Sequence, residues 1–201
     1  MSNDLSLEVS KNSLPYAVQL PCVLRGSLLP FQLCSPLFYA IGKITKNGWR
    51  NDFGVLMPCD WEEYANASPR PVHFGFEYSG PFFIACDHGC AHLNQSHATA
   101  DCSSGFEFRA AQVFAQSKRQ IQQAGFVFVW AGIGEDALDT AYGSLIEIGI
   151  ANALHKPILL AHHPDSDLRP FWFSVEAATT VVCAQKPIGV LELLRQARSR
   201  R

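Results

Sequence analysis

The chain has no apolar run that reaches ~18 residues, the length of a bilayer span. Its start does not join a basic stretch directly to an apolar core in the manner of a secretory leader. A cytoplasmic protein without a membrane partner is therefore expected. An excess of one charge is missing too: 16 Lys and Arg stand against 18 Asp and Glu, for a formal net charge of −2. No global field draws such a chain to a polynucleotide, so none is expected as a partner. There is no internal repeat and no low-complexity tract. Seven cysteines are present, but the number is odd and small-scaffold spacing is lacking, so they read as reduced thiols. What is present is ordinary for a globular protein, with 48% hydrophobic and 17% charged residues. A length of 201 residues fits one domain with a sizeable core.

Residues 1–35 mix Ser, Asn and Pro with short apolar runs and hold no period of 2 or 3.6, which suggests an extension lying on a domain of residues 36–201. The domain opens with "LFYAIGKI", a short buried strand ending in a polar, glycine-containing loop. "PVHFGFEYSGPFFIACDHGC" holds two β-rich runs split by Ser79-Gly80-Pro81. From Glu107 to Gly125 the placing of Phe108, Ala111, Val113, Phe114 and Ile121 predicts a helix stopped by Gly125. "FVFVWAG" is a further buried strand, followed by a polar loop and an apolar helix from Tyr142 to Leu154. "KPILLAHH" and "TVVCAQ" supply strands on either side of a short helix in "FWFSVEAA", and "GVLELLRQARSRR" closes the chain as an amphipathic helix with basic residues at its C-terminus. Short buried strands alternating with helices imply a single-domain parallel α/β sheet, flavodoxin-like or Rossmann-like, of about five strands with helices on both faces.

The apolar helix poses the functional question. "TAYGSLIEIGIANAL" carries one charge, Glu147, between Ile146 and Ile148. In an open α/β sheet ligands bind beyond the carboxyl ends of the strands, and the second turn of the helix after a central strand lies near that edge. A carboxylate buried there needs hydrogen bonds, a cation or a chemical task, because desolvation alone costs several kcal/mol.

"DTAYGSLIEIGIANALHKPILL" resembles the signature of the nucleoside 2-deoxyribosyltransferase superfamily, in which an Asp-bearing loop leads into Gly-Ser/Thr-Leu-x-Glu-Ile-Gly-x-Ala and then Lys-Pro and a strand. "FYAIGKI" is similar to the same superfamily's opening turn, and the shared order covers about residues 36–185. Within the superfamily, "YSGPFF" with "CDHGC" looks like a deoxyribosyltransferase-like subgroup. The resemblance implies that Glu147 attacks the anomeric carbon of a nucleoside or nucleotide and forms a glycosyl ester, later captured by water or by another base. It implies no cofactor and no metal in the reaction, and a homodimer or larger homo-oligomer. Tyr39 would lie beside the nucleophile, and Gly42 would belong to the opening turn. Tyr142 and Gly143, at the start of the Glu147 helix, would approach the substrate, with small residues such as Gly143 and Gly149 letting helix, sheet and ligand come close.

The superfamily commonly places its loop aspartate six or seven residues before the nucleophile, whereas Asp139 stands eight before Glu147 and Asp136 further still. Both remain open as the group that contacts the base or handles its proton. The displaced aspartate also motivates a second reading, a catalytically inactive nucleotide-binding sensor or partner module. His155 stands where the family often has glycine before Lys-Pro, at the helix's C-terminal cap. If the substrate carries phosphate, Lys43 and Arg50 are the nearest cations after the first strand.

"CDHGCAHLNQSHATADC" brings Cys86, His88, Cys90, His92, His97 and Cys102 into one segment. These are zinc-type ligands, but C-x₃-C with no second pair is an imperfect metal spacing, and a polar loop with reduced thiols is the competing reading. Asp87 and His88 directly follow a strand end and are expected to reach the substrate.

Overall fold

The computed structural model describes residues 21–43, 48–54, 68–81, 84–85, 91–92, 110–138 and 141–200. Its strands are β1 (Cys22–Gly26), β2 (Leu37–Ile41), β3 (Arg70–Pro71), β4 (Glu77–Gly80), β5 (Ile84–Ala85), β6 (Ala91–His92), β7 (Phe126–Ala131), β8 (Ile158–His162) and β9 (Thr180–Cys183). Its helices are α1 (Leu29–Leu33), α2 (Ala110–Gln123), α3 (Tyr142–Ala153), α4 (Trp172–Ala177) and α5 (Pro187–Ser199).

Five strands run parallel, in the spatial order β4-β2-β7-β8-β9. Counted along the chain this is second, first, third, fourth, fifth, the order of a flavodoxin-like sheet, whose topological switch point falls between the first and third strands. Here those are β2 and β7. The central strands read as unbroken apolar runs because both their faces are covered: every residue of β7 and β8 is buried.

The sheet has seven strands rather than the five expected, because an antiparallel strand is added at each edge, β1 on β9 and β3 on β4. Neither carries the pattern that reveals a strand in sequence. All five residues of β1 are exposed, so there is no alternation, and β3 is two residues long. β5 and β6 pair separately as a two-stranded ribbon. Residues 22–33, on the extension side of the expected boundary, are thus built into the sheet edge and its covering layer. Arg25 of β1 donates to Glu176 of α4 at 2.9 Å. Near α1, Arg198 Nη1 of α5 donates to the carbonyls of Phe31 and Cys34 at 3.0 and 3.2 Å.

Alternate residues of each strand go to opposite faces. Phe38 and Ala40 of β2 join Phe126 and Phe128 of β7 in one core, closed by Phe31 of α1 and by Val190, Leu191 and Leu194 of α5. Tyr39 and Ile41 join Val127 and Val129 in the other, beneath α2 and α3 through Ile121, Ile148 and Ala151. Among the described residues, no helix is long and apolar enough to cross a membrane.

Candidate active site

Glu147 is the sixth residue of α3, on its second turn, and its neighbours divide: Ile148 is buried in the core while Ile146 faces outward. Part of Glu147 remains accessible, yet its carboxyl end turns inward to the sheet. There the Tyr39 hydroxyl donates to Oε1 at 2.6 Å. Tyr39 is fully buried on β2, in register with Val127 of β7 on one side and with Gly80 at the end of β4 on the other. The pair therefore stands beside the switch point of the sheet.

Ser117 completes the group. It lies on the buried face of α2 facing this pair, where its hydroxyl favours the ionised forms of both Glu147 and Tyr39. Burial pushes the Glu147 carboxyl above its ordinary pKa, while the hydrogen bond from Tyr39, the charge of Arg50 and the hydrogen bond from Ser117 oppose that rise without cancelling it. The Tyr39 phenol is held well above its own usual value, first by burial and then by the adjacent Glu147 charge and hydrogen bond. Tyr39 is consequently a fixed hydrogen-bond donor to the carboxylate that keeps its own proton.

Arg50 belongs to the 3₁₀ turn Trp49–Phe53 and is itself buried, at 4% exposure. Its guanidinium donates to the carbonyls of Lys43 at 2.8 Å, Ala40 at 3.1 Å and Gly42 at 2.9 Å, and stacks 4.4 Å from the centre of the Trp49 ring. These contacts occupy the fork on the protein's own backbone and lock the turn that leaves β2. Gly42 is required in that turn: its φ is +156°, and a Cβ would lie 2.9 Å from both the Trp130 carbonyl and the Trp49 ring. The Lys43 carbonyl also accepts from Trp49 Nε1 at 3.3 Å.

The remaining expected residues divide into three groups. Asp136 lies in the 3₁₀ turn Gly134–Asp136 after β7 and lines a cleft of ≈ 330 Å³ together with Trp49, Asp52, Trp130, His163 and Lys186. Glu147 is not among the residues lining that cleft, which opens past the carboxyl ends of β7, β8 and β9. Tyr142 is 74% exposed, and a Cβ added at Gly143 or Gly149 would meet no atom within 4 Å. Neither glycine is there to let α3 approach the sheet, which corrects the packing role suggested above: both face outward. Asp139, Asp87 and His88 lie outside the described residues, as does the Cys/His-rich segment apart from the backbone of β6. Among the described residues, no group of His, Cys, Asp or Glu side chains is arranged to hold a metal ion.

Sequence reasoning missed the inward face of α2. Its apolar Phe114 is 52% exposed, and Gln116, Ser117 and Gln120 point to the core instead. The available signal was polarity at positions 116, 117 and 120, the i, i+1, i+4 spacing of one helix face.

No protein-family model matches the sequence, and no curated protein does. Among solved structures the chain is similar to the Clostridium botulinum CMP N-glycosidase BcmB, with 19% identity and a TM-score of 0.34 over 42% of this chain and 72% of that one. A likeness of that size carries no weight for fold or function.

Proposed function

We propose that this protein cleaves the N-glycosidic bond of a nucleoside or nucleotide, with Glu147 as nucleophile. The single observation that carries the reading is the 2.6 Å hydrogen bond from Tyr39 to Glu147 Oε1 beside the β2–β7 switch point. It fixes one carboxylate oxygen and leaves Oε2 as the attacking atom. In the first step Oε2 forms a bond to C1′ as the C1′–N bond breaks, and the base departs with the electron pair and takes a proton from Asp136 or Asp139. In the second step water, in a hydrolase, or another base, in a transferase, attacks C1′ as the C1′–Oε2 bond breaks and frees the carboxylate, and the aspartate left deprotonated by the first step takes the proton of the attacking group. Lys43, Asp87 and His88 contact the substrate around this centre, while Arg50 acts through the β2 turn and through its charge on Glu147.

The test is a nucleoside and nucleotide panel read by chromatography for free base, with intact-mass detection of the glycosyl ester. Wild type is expected to release base, and Glu147→Gln to release none and form no adduct. Unchanged turnover by the variant rejects the assignment.

The cleft between Trp49 and Trp130, distinct from the Glu147 side chain, favours one other reading, a nucleotide-binding module without catalysis. Tight nucleotide binding with no base released on long incubation selects it.

Self-association is part of the proposal. Tyr142, Leu145 and Ile146 of α3 and Trp172 and Phe173 of α4 are exposed large apolar side chains on two helices in contact, the kind of surface that a second copy covers.

A further inference from the structure

The face of α2 that meets Glu147 carries a second polar side chain, for which the chemistry above has no use. Gln120 follows Ser117 by three residues and so lies one turn along on the same side of the helix. It is 3% exposed, and both Oε1 and Nε2 of its amide are buried without a hydrogen-bond partner among the described residues. A buried amide in that condition forfeits its hydration at both ends, and native proteins keep such groups sparingly, where something else completes them.

Its location says what that is. A Cβ built on Gly80 would fall 2.2 Å from Gln120 Oε1 and 2.8 Å from Nε2, so the amide occupies the space that a side chain at position 80 would take. Gly80 is the register partner of Tyr39. The amide of Gln120, the hydroxyl of Ser117 and the Tyr39–Glu147 pair therefore lie together between α2 and the ends of β2 and β4.

We propose that Gln120 is a substrate-recognition residue beside Glu147, its amide engaging a ligand group that offers a donor and an acceptor side by side. Two parts of a nucleoside have this chemistry: the 2′,3′-diol of ribose and the amide-like edge of a base. The ligand class rests on the reading of Glu147 given above; the unsatisfied amide does not.

The experiment uses Gln120→Leu in the full chain, with two readouts. Thermal unfolding without ligand is expected to show an unchanged or raised midpoint, because the substitution removes an unsatisfied amide and keeps its volume. Calorimetric binding of the four ribonucleosides and their 2′-deoxy forms, made in the Glu147→Gln background so that nothing turns over, is expected to weaken about 10- to 100-fold, the loss of one or two hydrogen bonds. Weakening confined to the ribo series assigns the diol, and equal weakening in both assigns the base edge. A lowered midpoint shows the amide to be structurally bonded and overturns the proposal. Unchanged affinity overturns it too, as does absence of binding by every member of the panel. Binding that depends on Gln120 in a wild-type chain that releases no base leaves this inference standing and removes the catalytic reading alone.

Discussion

The hydroxyl of Tyr39 and the carboxylate of Glu147 meet at 2.6 Å across 108 residues of chain. A strand residue and a helix residue are thereby joined at the place where the sheet changes winding direction, which answers what holds a carboxylate in an otherwise apolar helix.

Removing that donor has a signed consequence. The Tyr39 hydrogen bond favours the ionised form of Glu147 and so lowers its pKa. In Tyr39→Phe the pKa rises further, and because the nucleophile must be ionised, the acid limb of the kcat/KM profile moves to higher pH. A charge-assisted hydrogen bond of about 1.5–3 kcal/mol corresponds to a loss of roughly 10- to 100-fold in kcat/KM above that limb. A pH–rate series on both proteins checks the shift and the loss together.

Glu147→Gln is expected to be more stable than wild type at neutral pH, for the reason that makes it inactive. Burial raises the folded-state pKa above the ordinary carboxyl value of 4.5. Between the two values the folded chain holds a proton that the unfolded chain has released, so wild-type stability falls as pH rises through that window. Below it the carboxyl is protonated in both states and the variant's advantage disappears. Thermal midpoints at a series of pH values decide this; a gap that does not narrow toward acid pH contradicts it.

Arg50→Met tests the turn after β2. Three carbonyls lose a cationic donor in a buried setting, which puts the loss of stability on the order of 3 kcal/mol. Urea unfolding reads it directly. A stability within experimental error of wild type would mean that the turn holds itself.

Trp172→Asp probes self-association. Trp172 is 63% exposed and packs edge-on to Phe173, itself 73% exposed, so the substitution costs the isolated chain little while placing a charge in the proposed contact. Light scattering is expected to show a smaller species than wild type at equal concentration and an unchanged circular dichroism spectrum.

The parallel centre of the sheet was legible because its strands are short apolar runs with punctuation at both ends, as in "FVFVWAG", and the helix bearing Glu147 because an apolar run stands between the polar loop before it and the Lys-Pro that opens the next strand. His155 shows how fine the legible detail can be: its φ is +53°, the left-handed conformation for which glycine is the usual occupant at a helix end. The edge strand β1 was illegible, since five exposed residues carry no alternation. So was the role of α2. A reader of sequence turns Phe114 inward and the glutamines outward, and only tertiary context reverses this: Gln116, Ser117 and Gln120 face the sheet while Phe114 is 52% exposed. Arg50 was legible as a cation but not as one committed to backbone carbonyls, which depends on how the chain bends after Gly42.

The pairing of β1 with β9 bears on how the chain comes together in time. Arg25 and Glu176 are 151 residues apart, and β1 finds its sheet partner only in the last strand. During synthesis the early strand emerges long before Thr180–Cys183 exists to receive it, so that sheet edge stays open until β9 has been made.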